Sequence, residues 1–168
     1  MLVFRLARLK YSKELSGKGA AKYGNRWNSK GVEMVYTAES RALAMAEVAV
    51  HLSLINLPKD FVMLEIEIPE KVKTIALDLG NLGEEWNKHP PVSFSQKLGD
   101  QFIESEKHCI LKVPSAVVPG DFNYLINAFH PDFKKIKIKK VSKFPFDNRI
   151  FQEPLTSQFC NFKNPETL

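Results

Sequence analysis

Residues 42–50 read ALAMAEVAV, and Glu47 is the only formal charge in this apolar run. A window so rich in Ala, Leu, Met and Val favours helix. Ser40, just before it, offers a side-chain oxygen to an early helical N–H, as an N-cap does. The pattern predicts a helix over residues 41–55, with Pro58 beyond its end. Leu43, Glu47, Val50 and Leu54 follow the i, i+4, i+7, i+11 spacing of one helix face, so the carboxylate shares an inward-turned face with three apolar side chains. Burying an ionised carboxylate without a partner costs on the order of several kcal/mol. The chain must therefore supply a compensating cation or a use for the charge, and Arg26 and Tyr36 lie just upstream. A purely structural Arg26–Glu47 ion pair satisfies the same requirement.

Around this helix the pattern alternates between strands and helices without regular βαβ repeats, which favours an α+β or mixed α/β domain over a doubly wound sheet. Residues 3–9 read as an opening strand, and residues 10–25, with three glycines among polar residues, as a loop. Residues 33–37 form a short strand. Residues 61–68 alternate as a half-buried strand, with Val62, Leu64, Ile66 and Ile68 on one side. Residues 72–79 suit another strand, 93–106 a second helix weakened by Gly99, and 109–113 a short apolar strand ending at Pro114-Ser115. Residues 119–133 mix turn residues with Asn123, Tyr124, Asn127, His130 and Asp132. A lysine-rich strand over 134–143 and a last strand over 144–151 complete the expected order.

The length of 168 residues suits one domain with a real core. Its expected extent is residues 1–150, with residues 151–168 as a tail packed on the domain or on a partner. No apolar stretch approaches the roughly 20 residues that span a bilayer. The opening MLVFRLARLK interleaves Arg with apolar residues, unlike a signal peptide; both features point to the cytoplasm. Cys109 and Cys160 have no CxxC spacing, so neither a zinc site nor a disulfide framework is indicated, and Cys109 is expected in the core. The net charge of +5 is concentrated in KKIKIKKVSK at 134–143, which alone holds six lysines. Lysines alternating with apolar residues fit a wet or edge-protecting strand face better than a nucleic-acid surface, because no aromatic residues are interleaved for base stacking. There is no GxGxxG or Walker loop.

Four stretches carry a resemblance: NRWN at 25–28, VYTAESRALAMAEVAVH at 35–51, KVPSAVVPGDFNYLINAFHPDF at 112–133 and FPFDNR at 144–149. In this order, with Arg26, Tyr36, Glu47 and Ser115 inside them, the chain resembles the RES domain family, named for its Arg, Glu and Ser residues. The likeness runs from Arg5 to Arg149. Two departures stand out: Asn25 where the family commonly has Gly, and Asn127-Ala128 where it commonly has Asn-Pro.

The resemblance implies a fold like that of ADP-ribosyltransferases, with central mixed or antiparallel sheets and flanking helices. It also implies a bacterial toxin of a type II toxin–antitoxin system that consumes NAD⁺ and is neutralised by an Xre-type antitoxin. A homodimer is compatible with it, membrane association is not expected, and nucleic acid is expected only through the antitoxin. NAD⁺ is then substrate, not cofactor; phosphate is a candidate co-substrate, and no metal is implied. Cleaving the nicotinamide–ribose bond passes through a sugar cation. Glu47 suits charge stabilisation at the ribose, Arg26 the pyrophosphate, Tyr36 the nicotinamide ring and a ribose hydroxyl or Glu47, and Ser115 the ribose or the glutamate. Arg5, Asn127 and His130 are further candidates for phosphate or acceptor contacts. Two alternatives remain beside the NAD⁺ glycohydrolase or phosphorylase: an ADP-ribosyltransferase acting on a protein target, and an inactive binding protein on the same fold. Taken singly, each residue also has a plain reading: a surface Arg26, a half-buried strand Tyr36, a turn Ser115, a turn His130, and Trp27 and Trp86 as packing residues.

Overall fold

β1 (Leu2–Arg8) lies inside a seven-stranded sheet of order β4-β5-β6-β2-β1-β3-β7. The computed structural model describes residues 1–52 and 57–151. The other strands are β2 (Val35–Ala38), β3 (Phe61–Glu67), β4 (Thr74–Ala76), β5 (Ile110–Pro114), β6 (Phe122–Ile126) and β7 (Lys137–Lys143), and the helices are α1 (Lys18–Tyr23), α2 (Arg41–Ala49) and α3 (Ser93–Ser105). All pairings are antiparallel except β4 with β5. This is the expected α+β architecture, a mixed sheet with flanking helices.

One sheet face gathers Val3, Ala7, Val35, Val62, Leu64, Ile66, Cys109, Ile110 and Ile126 into a core, with Cys109 buried as expected. On the opposite face α2 packs through Leu43 and Ala44 on Phe4, Leu6, Ala38 and Met63. There α3 also brings Phe102 and Ile103 against Leu111, Val113 and Leu125. The cross-strand register places Leu111, Leu125 and Tyr36 side by side, and likewise Val113, Asn123 and Ala38. Residues directly opposite one another in a sheet share a face. Both long helices therefore sit on the same face, and Tyr36 and Asn123 belong to the floor that carries them. β1 and β2 share a single pair, Phe4 with Ala38, whereas β1 and β3 pair along their whole length. The two strands thus splay where the site lies.

The expected elements differ from the observed ones where tertiary contacts overrule local pattern. The 10–25 loop contains α1, whose Ala20 and Ala21 carbonyls accept from the Asn28 side chain and the Gly31 N–H. Residues 119–133 contain β6, a strand hidden in sequence by its flanking Pro, Gly and Asn residues and made by partners on both sides. α2 is shorter than expected: it closes at Val50, which is 58% exposed rather than inward-facing, and Leu54 lies outside the described residues. Residues 144–151 form no strand. Pro145 lacks the N–H a ladder needs, and Phe144 and Phe146 pack edge-on beside Phe61 instead, before a 3₁₀ turn at Asn148–Phe151. The lysine-rich segment is the edge strand β7, exposed along most of its length. That fits lysines placed to discourage edge-to-edge pairing.

Gly99 is a contact point, not a weak spot. A Cβ there would stand 1.7 Å from the Trp27 carbonyl oxygen, so only glycine lets α3 press onto the segment that carries Arg26. Gly99→Ala should lower unfolding stability by about 1–3 kcal/mol or more through overpacking. Urea denaturation checks this, and a midpoint equal to the parent's would show that α3 can retreat at no cost.

Candidate active site

Glu47 sits one turn before the end of α2, a helix started by Ser40, whose Oγ accepts from the Leu43 N–H at 3.0 Å. Its carboxylate turns toward the end of β5 and the start of β6. Glu47 Oε1 accepts from the Ser115 hydroxyl at 2.7 Å and from the Asn123 amide at 2.5 Å. Ser115 itself is 4% exposed and accepts the N–H groups of Val117 and Val118 at 3.0 and 2.9 Å. With its lone pairs filled from the backbone, its proton is directed at Glu47. Ser115 is thus an orienting donor to the glutamate, with no capacity left for the ribose. Glu47 is half-buried, so its desolvation is partial, and these neutral donors offset it. No ion pair joins Glu47 to Arg26 among the described residues.

Two cavities meet at this carboxylate. The larger, about 730 Å³, is lined by Arg26, Trp27, Tyr36, Glu47, His89 and Asn123 among others. The smaller, about 230 Å³, opens where β1 and β2 splay and is lined by Arg5, Phe4, Leu6, Tyr36, Ala44, Glu47 and Asn123 among others. Tyr36, Glu47 and Asn123 are walls of both, so one elongated molecule can lie across the junction with its middle beside the carboxylate. A third hollow of about 520 Å³, beside Ile68 and His108, holds none of these residues.

Arg26 follows α1, which Gly24 closes at φ 72°, a value that suits glycine. Its Nη1 donates to the carbonyls of Trp86 at 2.6 Å and Lys88 at 3.0 Å, and its guanidinium lies 6.0 Å from the Trp86 ring centroid. Trp86 in turn stacks on Trp27 at 5.8 Å. One nitrogen therefore ties down the 86–88 segment, and Nε and Nη2 have no hydrogen-bond partner among the described residues. Burial lowers the Arg26 pKa, while Glu47 and Tyr36 pull it back. Arg5 lines the smaller cavity and donates to the Ser16 carbonyl at 3.4 Å; burial lowers its pKa too. Both guanidiniums remain charged at neutral pH.

Tyr36 lines both cavities, but its hydroxyl is not aimed at Glu47. It accepts from the Trp27 N–H at 3.1 Å and donates to the Asn28 side-chain oxygen at 2.8 Å. Burial raises its pKa well above the usual tyrosine value, so it stays neutral. Asn28 is fully buried, and its amide shares two hydrogens among the carbonyls of Ala20, Ser29 and Val32. The Tyr36–Asn28 pair thus fixes the backbone that bears Arg26. Asn127 and His130 lie outside both cavities. The Asn127 amide bonds the Ile103 carbonyl, and His130 Nδ1 accepts from the Asp132 N–H at the start of the Pro131–Lys135 turn. Sequence reasoning passed over Asn123 as a site residue because its segment reads as a turn, and Trp86 because its partner lies 60 residues away. Among the described residues, no three His, Cys, Asp or Glu side chains cluster as metal ligands, and no helix is long and apolar enough to cross a membrane.

A family model for the RES domain matches residues 2–147. The chain belongs to the RES domain family. Among similar RES proteins, the Prs ADP-ribosylating toxin of Sphingobium sp. (strain YBL2) is 42% identical over 149 residues, covering 88% of this chain and 92% of the relative. The Toxin Res of Photorhabdus laumondii subsp. laumondii is 39% identical, covering 89% and 97%. A solved structure of the M. tuberculosis MbcT-MbcA toxin-antitoxin complex contains a chain that superposes with a TM-score of 0.69 at 17% identity, over 86% of this RES domain chain and 84% of that one. At that identity the match speaks for the fold alone, and it agrees with the expected architecture.

Tyr36→Phe should cost about 1–3 kcal/mol, because it leaves the Trp27 N–H and the Asn28 oxygen without their partner. A thermal melt checks this; an unchanged midpoint would mean that water replaces the hydroxyl.

Proposed function

We propose that this RES domain protein is the toxin of a type II toxin–antitoxin system and acts by splitting the nicotinamide–ribose bond of NAD⁺, depleting the pool in the cytoplasm. The observation that carries this reading is the placement of one oriented carboxylate at the junction of two cavities, with an arginine among the lining residues of each. NAD⁺ is elongated, anionic at its pyrophosphate and cationic at its nicotinamide, and its scissile bond lies between the two.

In this mechanism the C1–N bond breaks and its electron pair returns to the pyridinium nitrogen, releasing neutral nicotinamide. Positive charge grows on the ribose as the bond lengthens. Glu47 stabilises that charge and binds ribose hydroxyls, an interaction stronger in the transition state than in the ground state. Arg26, through Nε and Nη2, holds the pyrophosphate, as its planar fork suits. The Tyr36 ring bounds the base, and Arg5 offers a second anion contact from the smaller cavity. Water or inorganic phosphate then forms the new bond at C1 and gives its proton to solvent. The leaving group already carries positive charge, so expelling it requires no general acid.

A second reading, transfer of ADP-ribose to a protein, is favoured by the name of the 42% identical relative, an ADP-ribosylating toxin. Both readings begin with the same bond cleavage. An antitoxin partner is supported by the toxin-antitoxin complex in which the structural neighbour was solved, and its Xre type rests on the family resemblance alone.

Chromatography with mass detection of NAD⁺ incubated with the protein, with and without phosphate, tests the proposal. Free ADP-ribose identifies hydrolysis, and its phosphorylated form identifies phosphorolysis. Labelled ADP-ribose retained on a lysate protein identifies transfer. Glu47→Gln keeps an acceptor for Ser115 and Asn123 but removes the charge, so nicotinamide release should fall by about 10²-fold or more. Full activity in that variant would reject Glu47 as the charge-stabilising group.

A further inference from the structure

Glu47 has two carboxylate oxygens, and the structure treats them differently. Oε1 receives both donors, from Ser115 and from Asn123, whereas Oε2 has no protein partner among the described residues. We infer that Asn123 is a positioning residue for the reaction proposed above: with Ser115 it pins Oε1, so that Glu47 keeps one orientation and presents Oε2 alone to the substrate.

The chemistry leaves little freedom in this assignment. An ionised carboxylate only accepts, so the amide group of Asn123 must face it with its NH₂ and not its carbonyl. Bonds from neutral donors to a charged acceptor are stronger than neutral ones. Two such bonds converging from different elements define a direction, where one would allow a swing about Oε1. Asn123 is well suited to the second bond because β6 is held by β2 on one side and β5 on the other. Its Cα is therefore fixed in the floor beneath α2, and the residue is only 8% exposed. Ser115 stands just beyond Pro114, which pairs with Phe122, the neighbour of Asn123. Both anchors thus come from one rigid pair of strands, opposite a helix side chain with three rotatable bonds. Preorganisation of this kind acts on the transition state, because the carboxylate need not reorient as charge develops.

Asn123→Ala and Asn123→Asp, compared with the parent, test the inference by steady-state nicotinamide release from NAD⁺ beside a thermal melt. A positioning role predicts that kcat falls about 10- to 100-fold in Asn123→Ala while KM stays within about twofold and the melt remains cooperative. Asn123→Asp keeps the shape but replaces the donor with an acceptor facing Glu47, so it should be at least as impaired as Asn123→Ala. Were Asn123 only a packing residue, the isosteric Asp variant would be the milder of the two. A kcat within threefold of the parent, a loss confined to KM, or an Asp variant more active than the Ala variant overturns the inference. If Asn123→Ala fails to fold, the volume-conserving Asp variant decides.

Induced expression in bacteria separates this inference from the substrate reading. Growth arrest by the parent with an intact NAD⁺ pool would refute depletion as the mode of action, and relief of that arrest by Asn123→Ala would still support positioning. Arrest by Asn123→Ala as strong as the parent's would overturn it.

Discussion

The hydrogen bonds between Glu47 Oε1 and the side chains of Ser115 and Asn123 tie α2 to β5 and β6, two strands already paired with each other. A carboxylate on the inner side of α2 would be a liability if α2 packed elsewhere. Placed over the β5–β6 strand pair, it finds two directed donors and keeps one oxygen exposed to the cavities. The position of α2 on the sheet, the orientation of the ST-type turn after Pro114 and the identity of residue 123 thus all serve a single negative charge. Among the described residues the charge has no ion-pair partner and is held by neutral donors.

The sheet supplies the rigidity this arrangement needs. β6 is flanked on both sides, and β1 is anchored along β3, but β1 and β2 separate after one pair. A continuous ladder there would have closed the smaller cavity. The splay leaves the floor wide enough for Tyr36 and Asn123 to be walls of two cavities at once. On the opposite wall, Arg26 is held by a different device. Asn28 and Tyr36 fix its backbone, and the Trp86 and Lys88 carbonyls fix one end of its fork. The close approach of α3 at Gly99 locks this wall to the body of the domain.

Much of this was legible from residue order. The Ser40 cap, the α2 run, the β1 and β3 strands and the lysine edge all have local signatures that the structure bears out. So does membership of the RES family, carried by four separated blocks of residues. The elements that sequence misread share one trait. β6 and α1 have weak local preferences and are formed by what surrounds them, and the segment at 144–151 keeps one backbone bond, from the Phe144 N–H to the Phe61 carbonyl, before its aromatic residues turn to packing. Val50 shows the same limit in reverse: helical spacing places it on the Glu47 face, but α2 stops at its position and the side chain lies exposed.

The sequence by itself determined which chemistry the chain carries: a lone carboxylate in a capped helix, an arginine and a tyrosine ahead of it, and a serine after a strand-ending proline. Residue types and local spacing suffice for that, because propensity, capping and charge are properties of neighbours in the chain. Only the tertiary structure decided which atoms meet. It paired Glu47 with Ser115 and Asn123 across 68 and 76 residues, turned the Tyr36 hydroxyl to Asn28, and placed Asn127 and His130 outside the cavities. Hydrogen-bond geometry between distant residues depends on strand register and helix docking, and these are settled by the packing of the whole sheet.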